Sequence, residues 1–317
     1  MILITGGGGF LGLNIARHLV DKGQEVLLIQ RHSVKPPSFL APFWGKEIKQ
    51  ATGNILDLPF LLGLAKEYSL DSIIHGAFDN ASLLNREGPI KEHLHQFIQV
   101  PVQGCINLLE IARLYALRRV SLISSVVAYI GAPGENGEWQ EEALLPSISF
   151  SMIGNIKKAM EQICFLYSNI YQFSFVSLRV GYIYGPASEH QNPITNMVEN
   201  ALARRPVDLS TVPEDWRTPM VYAKDAGYLT SLIHLAETLK SSIYNIAARG
   251  NPAMLDVARL VRELIHDAKV TLGPVQPGQP EFKEVNLDKI EKEFGFVPRE
   301  LKEGITAFID WLKEGKY

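Results

Sequence analysis

The opening stretch Met1-Ile2-Leu3-Ile4-Thr5-Gly6-Gly7-Gly8-Gly9-Phe10-Leu11-Gly12 constrains the fold more than any other part of the chain. A short apolar run breaks into a glycine turn and restarts as a helix. Ile2 to Ile4 read as a buried parallel strand, Leu13 to Val20 carry helical apolar spacing closed by Gly23, and Glu25 to Ile29 read as a second strand. A strand, a glycine turn and a helix in that order aim free backbone N–H groups along a helix dipole, where a pyrophosphate binds. Gly6, Gly9 and Gly12 then serve the tight turn, the close approach of phosphate and the packing of helix on strand. Phe10 and Leu11 supply further N–H groups to the same anion. A glycine turn that binds nothing is the competing reading, and the order of elements weighs against it.

The second strand runs into Gln30-Arg31-His32, where this type of fold faces the adenosine ribose. An acidic residue there accepts the 2′-hydroxyl and repels a 2′-phosphate. Gln30 is neutral, and Arg31, His32 and Lys35 would attract the phosphate, so NADP is preferred and NAD is possible. Strands and helices go on alternating: a strand near Ile48, Gly53-Asn54-Ile55-Leu56-Asp57, a helix over Leu58 to Tyr68, and a strand Ser72 to Ile74 that ends in His75-Gly76-Ala77-Phe78. Gly76 and Ala77 are small enough for a cofactor to cross the strand end, with Phe78 beside them. His75 reads as an ordered structural residue rather than a base. His93 and His95 stand two apart on a helix and make a poor metal pair.

A helical stretch from about Lys91 to Leu117 is interrupted at Pro101, and a strand Val120 to Ile123 ends in Ser124-Ser125-Val126-Val127-Ala128-Tyr129. Further on lie a helix near Ile153 and a strand Phe173 to Val180. The alternation implies an α/β fold, a doubly wound parallel-sheet Rossmann domain over 1–180 with about 220–247 returning to it. From Gly181 the pattern loosens, with prolines at 193, 206, 213 and 219. About 181–219 and 248–317 are expected to form a smaller, mixed C-terminal substrate lobe.

A formal net charge of −3 without a basic run gives no electrostatic footprint for nucleic acid or anionic membrane. Cys105 and Cys164 sit in apolar helical patterns and read as reduced packing residues. The first apolar run is too short for a signal peptide, and no segment has membrane-spanning length. A cytoplasmic protein with a small-molecule substrate is expected.

Over nearly its whole length the chain resembles the extended short-chain dehydrogenase/reductase family, in particular the nucleotide-sugar epimerases and dehydratases. The resemblance is carried by Thr5 to Gly12, Gly53 to Asp57, His75 to Phe78 in part, Leu178-Arg179-Val180-Gly181-Tyr182-Ile183-Tyr184-Gly185-Pro186, Val221 to Ala226, Tyr244-Asn245 and Gly295-Phe296-Val297-Pro298. It implies adenine near Asn54 and Ile55, and a homodimer formed through the helices near 95–117 and 153–172.

The family's reactions use a Ser, a Tyr and a Lys. The Ser corresponds to Ser125 and the Lys to Lys157, which also holds the nicotinamide ribose, with Gly154 and Glu161 keeping the register; the Tyr position holds Ile153. The phenol exchanges a proton while hydride moves, so its loss removes a group typically worth about 10²- to 10⁴-fold in rate. Some relatives use an Asp and Lys just after the Ser, but here Val126, Val127 and Ala128 follow. Tyr129 and Tyr182 are possible substitutes, against the commoner reading of buried aromatics. The family's phosphate-side Asn residues are Tyr182 and Pro101, leaving Arg204, Arg205 and Arg217 as candidate phosphate partners. Three readings follow: an NAD(P)-dependent oxidoreductase or epimerase acting on a nucleotide sugar or other carbohydrate-like alcohol or carbonyl by a non-standard acid, a catalytically impaired dinucleotide-binding protein, and a family member turned to RNA, which the charge balance disfavours.

Overall fold

The computed structural model describes residues 1–78, 94–147, 149, 151–186, 192–278 and 280–314. Alternating β-branched runs and amphipathic stretches fold as seven parallel strands: β1 (Ile2–Thr5), β2 (Val26–Gln30), β3 (Ile48–Thr52), β4 (Ser72–His75), β5 (Arg119–Ser125), β7 (Ser174–Val180) and β11 (Ile243–Ile246). Their order is β11-β7-β5-β4-β1-β2-β3. Pairing runs outward from β1 in both directions, so the chain reverses course between β1 and β4, where α/β sheets of this kind open a crevice beyond the strand ends.

Both faces of the sheet are covered, which is why central strands such as β1 and β2 read as apolar runs rather than alternating ones. On one face α1 (Phe10–Asp21) and α6 (Ala223–Leu235) bury Leu13, Ile15, Leu19, Leu229 and Ile233 in one apolar cluster. The two helices touch where Gly227 lies on Asn14, so close that a Cβ would come within 2.8 Å of its backbone carbonyl carbon. On the other face α2 (Leu58–Tyr68), α3 (Leu94–Leu114) and α4 (Met152–Tyr171) bury a second cluster that includes Leu61, Leu64, Leu108, Leu109, Met160 and Cys164. The expected interruption at Pro101 does not occur: α3 runs through it. A proline inside a helix forfeits one hydrogen bond, and here Pro101 and Phe97, one turn before it, are both buried. The stretch 91–93, His93 included, lies outside the described residues.

A third apolar cluster belongs to the smaller C-terminal lobe. It unites α5 (Pro193–Leu202), β9 (Val207–Pro213), α7 (Met254–Leu264), β12 (Val270–Gly273) and α9 (Leu301–Glu314) through residues such as Met197, Val257, Val261, Ile305 and Phe308. Pro193 stands in the first turn of α5, where its missing N–H is harmless, and Asn192 caps that turn by accepting from Ile194 and Thr195. Strands β8 (Tyr182–Tyr184) and β10 (Met220–Tyr222) pair with each other rather than with the main sheet. Two-residue strands β6 (Glu138–Trp139) and β13 (Glu284–Val285) pair within what the sequence presents as loops, and α8 (Asp288–Phe294) ends at Gly295 in a left-handed cap. Among the described residues no helix is long and apolar enough to cross a membrane.

Candidate active site

The turn after β1 is tied on both sides: Gly6 N–H donates to Ile29 O at 3.1 Å and Gly76 N–H to Thr5 O at 3.1 Å. Gly6 has φ +68°, the left-handed region, and an added Cβ would press on Gly76 and Ala77 at 3.0 Å. A Cβ on Gly12 would run into the Gly6 carbonyl oxygen at 2.6 Å. The helix therefore seats directly on the turn. Gly9 caps α1 without any side-chain hydrogen bond, so the first-turn N–H groups, including those of Phe10, Leu11 and Gly12, keep their donor capacity at the positive end of a twelve-residue helix.

At the end of β2, Gln30 folds its side chain over Gly8, and its Oε1 is buried without a hydrogen-bond partner. A buried amide oxygen without a partner suits a ligand hydroxyl. Arg31 and His32 are exposed beyond it. Gly53 N–H donates to Gln30 O at 3.0 Å and brings the β3 exit alongside. There Ile55 is buried under Gly104 and its carbonyl accepts from Asn107 at 2.9 Å, while Asn54 is exposed and its side chain accepts from Leu56 N–H at 3.0 Å. Asn54 and Ile55 thus form a fixed corner two strands out from the glycine turn.

At the end of β4, His75 is buried with Nδ1 2.7 Å from Thr5 Oγ1, the structural placement expected of it. Gly76 and Ala77 line the glycine turn. Phe78 turns the other way, its ring centroid 4.5 Å from Lys157 Nζ and edge-on to Phe97 at 5.7 Å.

Strand β5 delivers Ser125, half-buried, to the same sheet edge, where its Oγ accepts from Val127 N–H at 3.4 Å and starts a short 3₁₀ turn, Val126–Tyr129. Helix α4, capped by Ser151, meets that turn at Gly154, where an added Cβ would lie 2.5 Å from Val127 O. One turn further along α4, Lys157 is 6% exposed and donates to Ile123 O at 2.7 Å. Burial lowers its ammonium from the usual lysine range to about 8, against the opposing fields of Cys105 and Glu161. Ile153 is half-buried and packs on the second cluster with the other apolar side chains of α4.

The two candidate phenols have different surroundings. Tyr129 is fully buried, stacks on Trp139 at 5.3 Å and donates its hydroxyl to Asn245 Oδ1 at 2.8 Å; burial raises its pKa. Tyr182 is half-buried at the start of β8, edge-on to Trp216 at 5.3 Å, and no hydrogen bond to its hydroxyl exists among the described residues. Burial raises its pKa as well, which keeps the phenol protonated. Of the candidate phosphate partners, Arg204 and Arg205 are exposed past the end of α5, and Arg217 donates to Asn251 O at 2.9 Å.

Beneath Ser125 runs a polar network that reading the sequence did not foresee. Glu161, fully buried on α4, accepts from Ser124 Oγ at 2.5 Å, Ser177 Oγ at 2.8 Å and Arg179 at 3.1 and 2.7 Å. Arg179 lies 4.6 Å over the Tyr129 ring and donates to Glu141 O at 3.1 Å. Carboxylate and guanidinium face each other with almost no water, joining β5, β7 and α4 just under the site. Nearby, Cys105 and Cys164 are free and buried with sulfurs 3.4 Å apart; the hydrogen bond with Cys164 favours a Cys105 thiolate, as do the fields of His75 and Lys157, against burial. Among the described residues no group of His, Cys, Asp and Glu could hold a metal.

A parallel sheet with a glycine turn at its reversal point, Ser125 at the end of β5 and Lys157 buried on α4 is a Rossmann-type arrangement. The chain belongs to the NAD dependent epimerase/dehydratase family, which matches residues 2–247. A probable dTDP-glucose 4,6-dehydratase of Sinorhizobium fredii is 25% identical over 99% of this chain and 93% of its own length. The UDP-glucose 4-epimerase of Lacticaseibacillus casei is 23% identical over 94% of this chain and 91% of its own length. Among solved structures, the Thermotoga maritima UDP-glucose 4-epimerase with UDP-glucose superposes with a TM-score of 0.84 at 18% identity, covering 99% of both chains. The Thermus thermophilus UDP-glucose 4-epimerase in complex with NAD gives 0.82 at 23% identity, again over 99% of both. These likenesses show the same fold, smaller C-terminal lobe included.

Proposed function

We propose that the chain is a nicotinamide dinucleotide-dependent oxidoreductase or epimerase acting on a nucleotide sugar or another carbohydrate-like alcohol or carbonyl. The observation that carries this reading is the juxtaposition at one sheet edge of the glycine turn, Ser125 and the buried Lys157. The turn and the uncapped start of α1 fit a pyrophosphate; Gln30, Asn54 and Ile55 fit the adenosine end; Lys157 fits the nicotinamide ribose. When bound, the nicotinamide supplies hydride transfer. Ser125 orients the reacting oxygen with its hydroxyl. Tyr182, protonated and without a hydrogen-bond partner among the described residues, is the proton donor in place of the absent phenol at Ile153, whereas Tyr129 has its hydroxyl committed to Asn245.

Turnover of nucleotide sugars, free sugars and sugar acids with NAD and NADP tests this reading. Tyr182→Phe is expected to lower turnover by about 10²-fold or more, the usual worth of a positioned acid. Activity unchanged by both Tyr182→Phe and Ser125→Ala would place the centre elsewhere. A second reading, a dinucleotide-binding protein without turnover, is favoured by Ile153 and is what the absence of activity on the whole panel would support.

For the cofactor, the finer reading is NADP over NAD, supported by exposed Arg31 and His32 beyond a neutral Gln30. The Thermus relative is in complex with NAD. Arg31→Ala should weaken NADP by about tenfold and NAD hardly at all, because only the former loses a charge-assisted contact. Equal weakening of both by calorimetry would show that Arg31 does not read the phosphate.

A homodimer through α3 and α4 is supported by the apolar side chains those helices leave exposed, with Ile98, Leu166 and Ile170 at 39%, 58% and 60% exposure. Sedimentation equilibrium should give twice the chain mass, and Leu166→Glu with Ile170→Lys should give the single-chain mass. A monomeric natural protein would refute the dimer. The unbridged thiols support a cytoplasmic setting.

A further inference from the structure

Lys157 is where the proposed cofactor's second ribose would be held, yet its ammonium is enclosed. One side is taken by the Ile123 carbonyl at 2.7 Å and another by the face of the Phe78 ring, centroid 4.5 Å from Nζ. A cation against an aromatic face in a dry setting is a favourable contact, and this one competes directly with a ribose hydroxyl for the same ammonium. The ring is also supported from behind by Phe97, edge-on at 5.7 Å, within the second apolar cluster. Up to this point the β4 exit is small: Gly76 and Ala77 lie against Gly6, and Phe78 is the first bulky side chain after them in the chain.

From this enclosure we infer that Phe78 sets how far a dinucleotide reaches into the site. With the ring over Lys157 the chain takes the adenosine diphosphate half on the glycine turn, and the nicotinamide riboside half engages Lys157 only when the ring turns off the ammonium. The inference rests on the dinucleotide reading above. It adds that the two halves of the ligand are held unequally, and it names the side chain responsible. A hydroxyl must come within about 3 Å of Nζ to accept from it, a space that the ring now borders.

The test compares ADP with NAD and NADP by calorimetry in the natural protein, Phe78→Ala and Phe78→Leu, the last keeping apolar bulk against Phe97. Phe78→Ala is expected to tighten both full dinucleotides about tenfold and to leave ADP within about twofold, with Phe78→Leu moving them the same way by less. A second readout needs no nucleotide: acetylation of Lys157 by acetic anhydride, followed by peptide mass spectrometry against exposed Lys22, should speed up about tenfold in Phe78→Ala, as an uncovered amine reacts faster. ADP binding with NAD and NADP unchanged or weakened would overturn the role given to Phe78 while leaving the glycine-turn site standing. Unchanged Lys157 acetylation would overturn it as well. Failure of all three nucleotides to bind any of the proteins would bring down the dinucleotide reading itself.

Discussion

Ile153→Tyr, introduced into a Tyr182→Phe background, is expected to restore turnover by about 10²-fold or more over the single Tyr182→Phe variant. The start of α4 lies against the turn that follows Ser125, with no room for even a Cβ between Gly154 and the Val127 carbonyl. A phenol at position 153 therefore enters next to Ser125 and one helical turn from Lys157. The ammonium's field favours the phenolate, so this phenol should exchange protons more readily than Tyr182, whose pKa burial pushes up with no cation to offset it. Ile153 is half-buried, and the larger ring can extend toward the open side. In the natural background the same change should add little, because Tyr182 already fills the role. A double variant as inactive as Tyr182→Phe alone would mean that a phenol at position 153 does not reach the reacting oxygen, whereas a Tyr182→Phe variant as active as the natural protein would mean that the phenol at 182 is not the proton donor.

The second large effect is on stability. Glu161→Gln should destabilise the fold by about 3–5 kcal/mol, as expected when one partner of a buried ion pair is removed and the other charge is left without compensation. The Glu161 and Arg179 side chains are 1% and 3% exposed, so water cannot replace the lost carboxylate. The substitution keeps the shape and part of the hydrogen bonding to Ser124 and Ser177, which isolates the charge. An effect of this size is a large share of what holds a typical domain folded. Urea unfolding reads it directly. A loss below about 1 kcal/mol would show that Arg179 finds another partner for its charge. Glu161→Leu combined with Arg179→Met should recover much of the stability, since a buried pair exchanged for apolar groups of similar volume is often neutral or better.

Local pattern made the elements legible before the structure. The helix over Leu58 to Tyr68 has the same bounds in both, because apolar spacing and caps such as Asp57 act within a few residues. The glycine turn was legible for the same reason. What the pattern did not show depends on contacts between distant residues. Pro101 reads as a break, yet the helix continues through it with Pro101 and Phe97 both buried. Glu161 and Arg179 stand out in the sequence as register marks, but their pairing joins residues 18 apart in the chain and recruits Ser124 from a third element. Phe78 reads, with Gly76 and Ala77, as a residue of the cofactor site; its place over Lys157 depends on a contact between residues far apart in the chain. Neither Tyr129 nor Tyr182 could be told apart from its neighbours in sequence, since the distinction lies in whether Asn245 is at hand to take the hydroxyl.

The central claim is that the turn at Gly6 to Gly12 holds a nicotinamide dinucleotide, and calorimetric titration of the intact protein with NAD and with NADP tests it most directly. The account predicts one site per chain, abolished by Gly12→Val, whose side chain would be forced into the Gly6 carbonyl. Binding of neither cofactor at millimolar concentration, or binding that survives Gly12→Val in a folded protein, would contradict it.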